Sequence, residues 1–349
     1  MQLNVSGNQP LISTNNLSIG YNHPRQGKHI LHSGINVKLE AGEFVCLLGP
    51  NGSGKSTLLQ TLCGFIPMLG GEVFLGDRTI SSISNRQMSL LVSVVLTERI
   101  VVSNMTVFDL VSLGRTPYTG FFGRMKHSDA RKVQDALTAV GLEGFEERMI
   151  TNISDGERQK VMIAKALVQE TPLIVLDEPT AFLDLPSRIE IMHLLRKLAH
   201  ERKKGILLST HDLDLALQMA DKIWLLAEGK DMETGTPEDL VLSNEFRRFF
   251  EREGILFDNN TGQFTVGKQQ VKTIRLIGKG IEYKWVSRAL ARRGFAASDE
   301  PFSGFKVEIK SDGHREYLLT GPSGKTHKLR SIEDLLARID HEEASFLTD

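Results

Sequence analysis

The residues with the most evident chemistry are Gly49-Pro50-Asn51-Gly52-Ser53-Gly54-Lys55-Ser56-Thr57, which fit the pattern G-x-x-x-x-G-K-[ST] in full. Glycines let backbone N–H groups curl around phosphate oxygens with no Cβ in the way. A helix starting at the lysine aims its positive end at the same anion. Lys55 is then placed to reach the β- and γ-phosphates of a nucleoside triphosphate, and the Ser56 hydroxyl to ligate Mg²⁺. A second cluster is Leu173-Ile174-Val175-Leu176-Asp177-Glu178-Pro179. Two carboxylates at the end of an apolar strand are costly to bury alone, so they are expected to meet a cation or a reacting water. Asp177 is the candidate Mg²⁺ holder, directly or through water. Glu178 is the candidate base for the water that attacks the γ-phosphate.

These groups need elements to hold them. The apolar run Phe44–Leu48 precedes the glycine-rich loop, and a helical pattern through Thr57–Cys63 follows it, which is the strand–loop–helix context the motif requires. Leu11–Gly20, Ile30–Leu39 and Glu43–Leu48 read as strands. Asp129–Val140 carries Ala130, Val133, Ala136, Leu137 and Val140 at helical spacing, with Gly141 as the stop. Ile153–Gln169 repeats that logic, and Ser154 suits its N-cap. From Leu173 to Ala227 apolar strands alternate with helices, the pattern of a parallel sheet covered on both faces.

The order of motifs resembles the ABC-type ATPases. Ile153-Ser154-Asp155-Gly156-Glu157-Arg158-Gln159 resembles their signature motif, usually L-S-G-G-Q or L-S-G-G-E. Ala181-Phe182-Leu183-Asp184 stands where the family has its D-loop, His211 where it has the switch histidine, and Tyr21 where an aromatic stacks on adenine. The resemblance covers about 250 residues. It implies ATP and Mg²⁺ as cofactors, and a head-to-tail homodimer. In that dimer two ATP molecules are each sandwiched between one subunit's phosphate loop and the other's signature turn. Ser154, Asp155, Gly156 and Glu157 then act in trans, Asp184 meets the partner subunit, and His211 contacts the γ-phosphate. Two departures stand out. Asp155 replaces a signature glycine, and an acid there repels a γ-phosphate unless its side chain points away. The family's glutamine near residues 94–98 is absent, leaving Thr97 as a shorter oxygen donor for Mg²⁺ or water.

The implied fold is α/β: a mixed-sheet core with an N-terminal antiparallel β subdomain and a helical insertion at about 98–165, together spanning residues 11–257. Residues 266–349 read as a small accessory α+β domain. Val271–Ile277 is its first strand, and Tyr283, Val286, Ala289 and Leu290 form a helix face ending at Gly294. Phe305–Ile309 and Glu316–Thr320 form a hairpin around Ser311-Asp312-Gly313, and Ser331 with Asp334 forms a capping box. Gly321-Pro322-Ser323-Gly324-Lys325-Thr326 looks like a second phosphate loop, but Leu319 stands where the first glycine belongs, so a hairpin turn is expected. Arg292 and Arg293 are expected to complement a helix end.

Within the family, Gly114-Arg115-Thr116-Pro117-Tyr118-Thr119-Gly120 and the run Glu178–Pro186 resemble the ATPases of iron–siderophore, haem and cobalamin importers. That branch couples to a membrane permease served by an external substrate-binding protein. Residues of about 97–125 would face the permease, with Phe121-Phe122 as a docking candidate or as core. Two other classes stay open here: a soluble ABC ATPase of DNA repair, chromosome structure or translation, and an ATP-binding regulatory module with little turnover. No heptad run, CxxC pair or second cassette favours the former, and Glu178 and His211 speak against the latter.

Composition agrees. The chain has 349 residues, with 42 Lys and Arg against 43 Asp and Glu. A protein held to nucleic acid by phosphate neutralisation is usually more basic, so no nucleic acid partner is expected. No run approaches the roughly 18 apolar residues of a membrane span, and residues 1–10 lack the pattern of a signal peptide. Cys46 and Cys63 both lie in apolar surroundings and read as reduced core thiols. The expected location is cytoplasmic, on the inner face of the cell membrane through the permease.

Overall fold

The computed structural model describes residues 9–23, 27–96, 104–119, 124–251, 255–259, 262–266, 272–300, 304–310 and 315–346. Thr97, residues 98–103 of the expected insertion, Gly120, Phe121-Phe122 and the turn Ser311-Asp312-Gly313 lie outside them. The chain divides into two units, Met1–Glu251 with Phe257–Gln263, and Arg252–Leu256 with Phe264–Asp349.

Unit 1 begins with β1 (Ile12–His23), β2 (Gly27–Ile35), β3 (Lys38–Leu39), β4 (Phe44–Leu48) and α1 (Lys55–Leu62). Next come β5 (Gly70–Leu75), β6 (Arg78–Thr79), α2 (Asn85–Met88) and β7 (Val92–Val95). A helical stretch follows: α3 (Val107–Ser112), a 3-10 turn Leu113–Tyr118, α4 (His127–Ala139) and α5 (Asp155–Val168). Then come β8 (Leu173–Asp177), α6 (Leu185–Arg202), β9 (Gly205–Ser209), α7 (Leu213–Met219) and β10 (Lys222–Leu225). The last elements are β11 (Glu233–Gly235), α8 (Pro237–Leu242) and α9 (Glu245–Phe250).

The main sheet runs β11-β10-β4-β9-β8-β7. Strands β10, β4, β9, β8 and β7 pair in parallel, and β11 closes the edge antiparallel. Every residue of β4, β8 and β9 is buried, which explains their unbroken apolar runs: both faces are covered. The register places Leu47 and Asp177 both opposite Ser209. The phosphate loop, the carboxylate pair and His211 therefore leave the same carboxyl edge, where parallel α/β sheets bind ligands. A second, antiparallel sheet runs β2-β1-β5-β6, with β3 added to β1. Its Leu17, Ile19, Leu39 and Leu75 share one core with Val45, Leu47, Leu58, Leu62 and Trp224. Each such fully buried side chain contributes about 1.5–3 kcal/mol.

The run Ile30–Leu39 is two strands rather than one. Gly34 takes a φ of 71°, and Asn36 turns the chain by donating its side-chain amide to Gly34 O at 2.8 Å while accepting from Asn16 N at 2.8 Å. The helical stretch is clamped by Arg115, which is 3% exposed. Its guanidinium donates to Asp129 Oδ1 at 3.0 Å, to Val168 O at 2.8 Å and to Glu170 Oε2 at 2.7 Å, and lies 3.8 Å over the Tyr118 ring. Cys46 and Cys63 are both buried and free, and burial pushes the Cys63 thiol up to about 12.

Strands β12 (Ile255–Asp258) and β13 (Gln263–Val266) form a two-stranded sheet. Unit 2 contains β14 (Lys272–Ile277), α10 (Gly280–Arg292), β15 (Phe295–Ser298), β16 (Lys306–Lys310), β17 (Glu316–Thr320), β18 (Thr326–Leu329) and α11 (Ile332–Phe346). Its sheet runs β15-β14-β16-β17-β18. Ile274, Leu276, Val307, Tyr317 and Leu319 form a core of their own with Val286, Leu290, Leu335 and Ile339 of the two helices. The second GKT-like run is the turn between antiparallel β17 and β18, closed by Gly324 N donating to Gly321 O at 2.9 Å. No helix follows it. Ser331 accepts from Asp334 N at 3.0 Å and so caps α11, while Arg293 pairs with Asp340 at 3.1 Å.

Candidate active site

The loop between β4 and α1 folds around an open centre. A Cβ at Gly49 would lie 2.0 Å from Leu226 O, so only glycine lets the loop leave the sheet there. Gly54, with φ 91°, caps α1, and a Cβ on it would lie 3.4 Å from the His32 ring. His32 is buried on β2, and its Nε2 lies 2.7 Å from Ser53 O, bracing the loop from below. Lys55 turns inward and donates to Gly49 O at 2.9 Å and Pro50 O at 3.2 Å. Burial draws the Lys55 ammonium below the ordinary lysine range, while Glu178 and Asp177 pull it back up. The Ser53 hydroxyl is buried with no hydrogen-bond partner among the described residues. A recess with a spare donor and a lysine held only by its own loop fits an arriving phosphate.

That recess opens into a cavity of about 530 Å³ lined by Tyr21, Asn51, Gly52, Lys55, Glu178 and His211, among others. Tyr21 Oη lies 2.8 Å from Thr57 Oγ1, fixing the half-exposed ring at the rim. Glu178 enters the cavity from the end of β8, whose last residue is the buried Asp177. Ser209 Oγ donates to Asp177 Oδ1 at 2.6 Å and accepts from Glu178 N at 2.9 Å. One hydroxyl on β9 thus orients both acids. Glu178 takes a φ of 49°, a left-handed conformation costing about 1–2 kcal/mol for a residue with a Cβ. That kink turns its carboxylate toward His211, whose Nε2 lies 2.5 Å from Glu178 Oε1. Hard oxygen donors suit Mg²⁺, and the candidates are the Ser56 hydroxyl, which lines the cavity, and the Asp177 carboxylate at the end of β8. Thr97, the third candidate, lies outside the described residues.

The signature residues sit on α5, apart from the cavity lining just described. Ser154 is the N-cap, with Glu157 completing a capping box: Glu157 N donates to Ser154 Oγ at 3.2 Å and Glu157 Oε2 accepts from Ser154 N at 2.7 Å. Those bonds hold the Glu157 carboxyl below its usual range. Asp155 pairs with Arg158 at 2.9 Å, and a Cβ on Gly156 would approach Ser187 Oγ to 3.1 Å. Asp184 caps α6 by accepting from Ser187 N at 3.1 Å, and the Ser187 hydroxyl together with that N–H lowers its carboxyl. The sequence reading assigned no role to Ser209 or His32. Ser209 was detectable as a polar residue ending an apolar strand just before His211. His32 left no signal, since its partner is distant in sequence and is a backbone carbonyl.

The ABC transporter family pattern matches residues 32–181, and a pattern described as the iron ABC transporter C-terminal domain matches residues 271–340. An uncharacterized ABC transporter ATP-binding protein of Methanocaldococcus jannaschii, MJ0873, is 38% identical over 76% of this chain and 90% of its own length. The chain belongs to the ATP-binding proteins of ABC transporters. The cobalamin import ATP-binding protein BtuD of Halobacterium salinarum is 32% identical over 87% of this chain and 77% of its own. Among solved structures, a metal-chelate type ABC transporter in an inward-facing conformation matches with a TM-score of 0.60 and 27% identity, over 69% of this chain and 89% of that one. Within the ABC ATPases the chain groups with the iron, siderophore and cobalamin importer branch and carries that C-terminal domain. It is an ABC transporter ATPase, and membership implies a dimer and permease partners in a transporter complex. Among the described residues no helix is long and apolar enough to cross a membrane.

Proposed function

We propose that this chain is the ATP-hydrolysing subunit of an importer for iron–siderophore, haem or cobalamin, and that it binds two ATP molecules at a head-to-tail homodimer interface. The observation that carries hydrolysis is the Glu178–His211 contact of 2.5 Å at the mouth of the phosphate recess. Glu178 takes a proton from the attacking water, whose oxygen bonds to the γ-phosphorus as the bridging β–γ bond breaks and its electron pair leaves with ADP. His211 holds the water and the γ-phosphate in line. Lys55 and the backbone N–H groups of Gly49 and Asn51–Thr57 hold the phosphates, with Pro50 shaping the loop between them, and Tyr21 stacks on adenine. Mg²⁺, held by Ser56 and Asp177, with Thr97 as a further candidate, would neutralise charge building on the β- and γ-oxygens.

The dimer reading draws support from the surface beside Asp184. Phe182 is 74% exposed with φ 65°, and Leu185 is 61% exposed. Large apolar side chains held outward next to a D-loop acid suit a face that a second copy covers. Ser154, Asp155, Gly156 and Glu157 then meet the partner's ATP. A separate apolar cavity of about 700 Å³, lined by Phe65, Met68, Ile80, Ile83, Met88 and Val94 among others, suits a permease segment. An external binding protein would act only through that permease, which would hold this subunit at the inner face of the membrane. The iron-domain match at 271–340 favours an iron chelate as cargo, and we assign residues 11–257 to the cassette and 266–349 to an accessory role.

ATP hydrolysis by the purified chain, beside E178Q, tests this. The wild type is expected to turn over, and E178Q to fall at least about 100-fold while pairing on ATP by light scattering. Turnover by E178Q at the wild-type rate would sink the assignment.

A further inference from the structure

An acid, Asp155, stands in the signature turn where the motif usually has glycine, and the structure shows what accompanies it. Asp155 is the first residue of α5 and is half exposed. The N–H groups of a helix's first turn have no intrahelical acceptors and carry a partial positive charge, so they favour an anion. A carboxylate beside them competes for that role. Arg158, one turn on, places Nη1 2.9 Å from Asp155 Oδ1. Its other arm is held as well, with Nη2 donating to Ile153 O at 3.3 Å and Ile150 O at 3.4 Å. The guanidinium is thereby fixed from two sides. The turn's other acid, Glu157, is folded back onto Ser154. Both first-turn carboxylates therefore have a partner within their own turn.

We propose that Arg158 is a positioning residue that makes the signature acid tolerable: it holds the Asp155 carboxylate and cancels its charge, so that the ATP of the partner subunit meets backbone N–H groups and not a free anion. This rests on the reading that the α5 N-terminus acts in trans. A pair this exposed adds little to stability, so its main effect is on the field at the turn. Removing Arg158 releases one negative charge a few ångströms from the γ-phosphate. Removing Asp155 makes Arg158 dispensable.

A double-mutant cycle on the full chain tests this, with ATP turnover, KM for ATP and thermal midpoint measured for wild type, D155N, R158Q and D155N/R158Q. R158Q is expected to raise KM and lower kcat/KM about tenfold at low salt, as one unscreened charge at intermediate dielectric would. High ionic strength should shrink that defect. In the D155N background the same change should cost less than about twofold. Equal losses in both backgrounds, or a defect indifferent to salt, would overturn the proposal and leave Arg158 as a brace for the Ile150 and Ile153 carbonyls. If the wild type neither hydrolyses ATP nor pairs when E178Q traps it, the in-trans reading itself fails, and this inference with it.

Discussion

Ser209 shows how much chemistry one hydroxyl carries at this site. It donates to Asp177 and accepts from Glu178 N, so S209A leaves a buried carboxylate short of a donor and a strained peptide short of an acceptor. A buried group left unsatisfied costs about 1–3 kcal/mol. S209A should therefore lower kcat about tenfold or more, with only a modest drop in thermal midpoint. Steady-state kinetics beside calorimetry would separate the two. His32 gives a parallel case. H32L should weaken ATP binding, and H32Q, which keeps a side-chain donor for Ser53 O, should recover part of it in a nucleotide titration. At this scale the sequence was informative about candidates where side-chain type stands at fixed spacing, as in Gly49–Thr57 or Asp177-Glu178, and the fold brings Lys55, Glu178 and His211 to one cavity. It was uninformative where the partner is a main-chain atom brought near by the fold, because a carbonyl leaves no letter.

The helical stretch of unit 1 depends on Arg115, and Gly114 beside it has no room for a Cβ, which would lie 2.3 Å from Lys165 O. The run Gly114–Tyr118, read from sequence as a mark of the importer branch, is also a structural clamp: Arg115 ties the 3-10 turn to α4 through Asp129, and to the end of α5 through Val168 and Glu170. Breaking a buried pair by removing one partner costs about 3–5 kcal/mol, so R115M should lower the thermal midpoint sharply. Burial pushes Asp129 up, but the Lys126 N–H and Arg115 outweigh it and hold its carboxyl below the usual range. Glu170 is likewise raised by burial but lowered further by Lys132 and Arg115. Folded-state values below the unfolded ones mean stability that is present above the ordinary carboxylate range and lost as pH falls through the depressed values. Acid titration followed by circular dichroism should show this loss, and D129N should remove part of the slope. Helices α4 and α5 were legible from apolar spacing. The break between β2 and β3 was not, because Asn36 turns the chain through side-chain hydrogen bonds inside a run that alternates like one strand.

Over the whole molecule, two cores fold from one chain, and nucleotide should act on one of them. A ligand that binds only the folded state stabilises by about 2.7 kcal/mol at 100 times its Kd. Scanning calorimetry with a non-hydrolysable ATP analogue should therefore raise a transition belonging to unit 1, while the core around Ile274, Val307 and Leu335 melts unchanged. A single transition shifted as a whole would refute that independence. A polar, turn-rich segment near residue 258 suggests a boundary, and in unit 2 β15 and β18 carried no strand signal while β14, β16 and β17 were legible. The crossing order β10-β4-β9-β8 was not, since strand order is fixed by which faces and edges close on each other and not by any local run.

The inward lysine has one more consequence. Lys55 Nζ donates to the carbonyls of Gly49 and Pro50, so its charge is anchored to the loop it belongs to. An ammonium has three donors, so it can keep both carbonyls and still reach a phosphate oxygen. The loop's own main chain therefore sets the direction in which that charge points. A subunit that must meet a new nucleotide every cycle is served by a charge already aimed before the phosphate arrives.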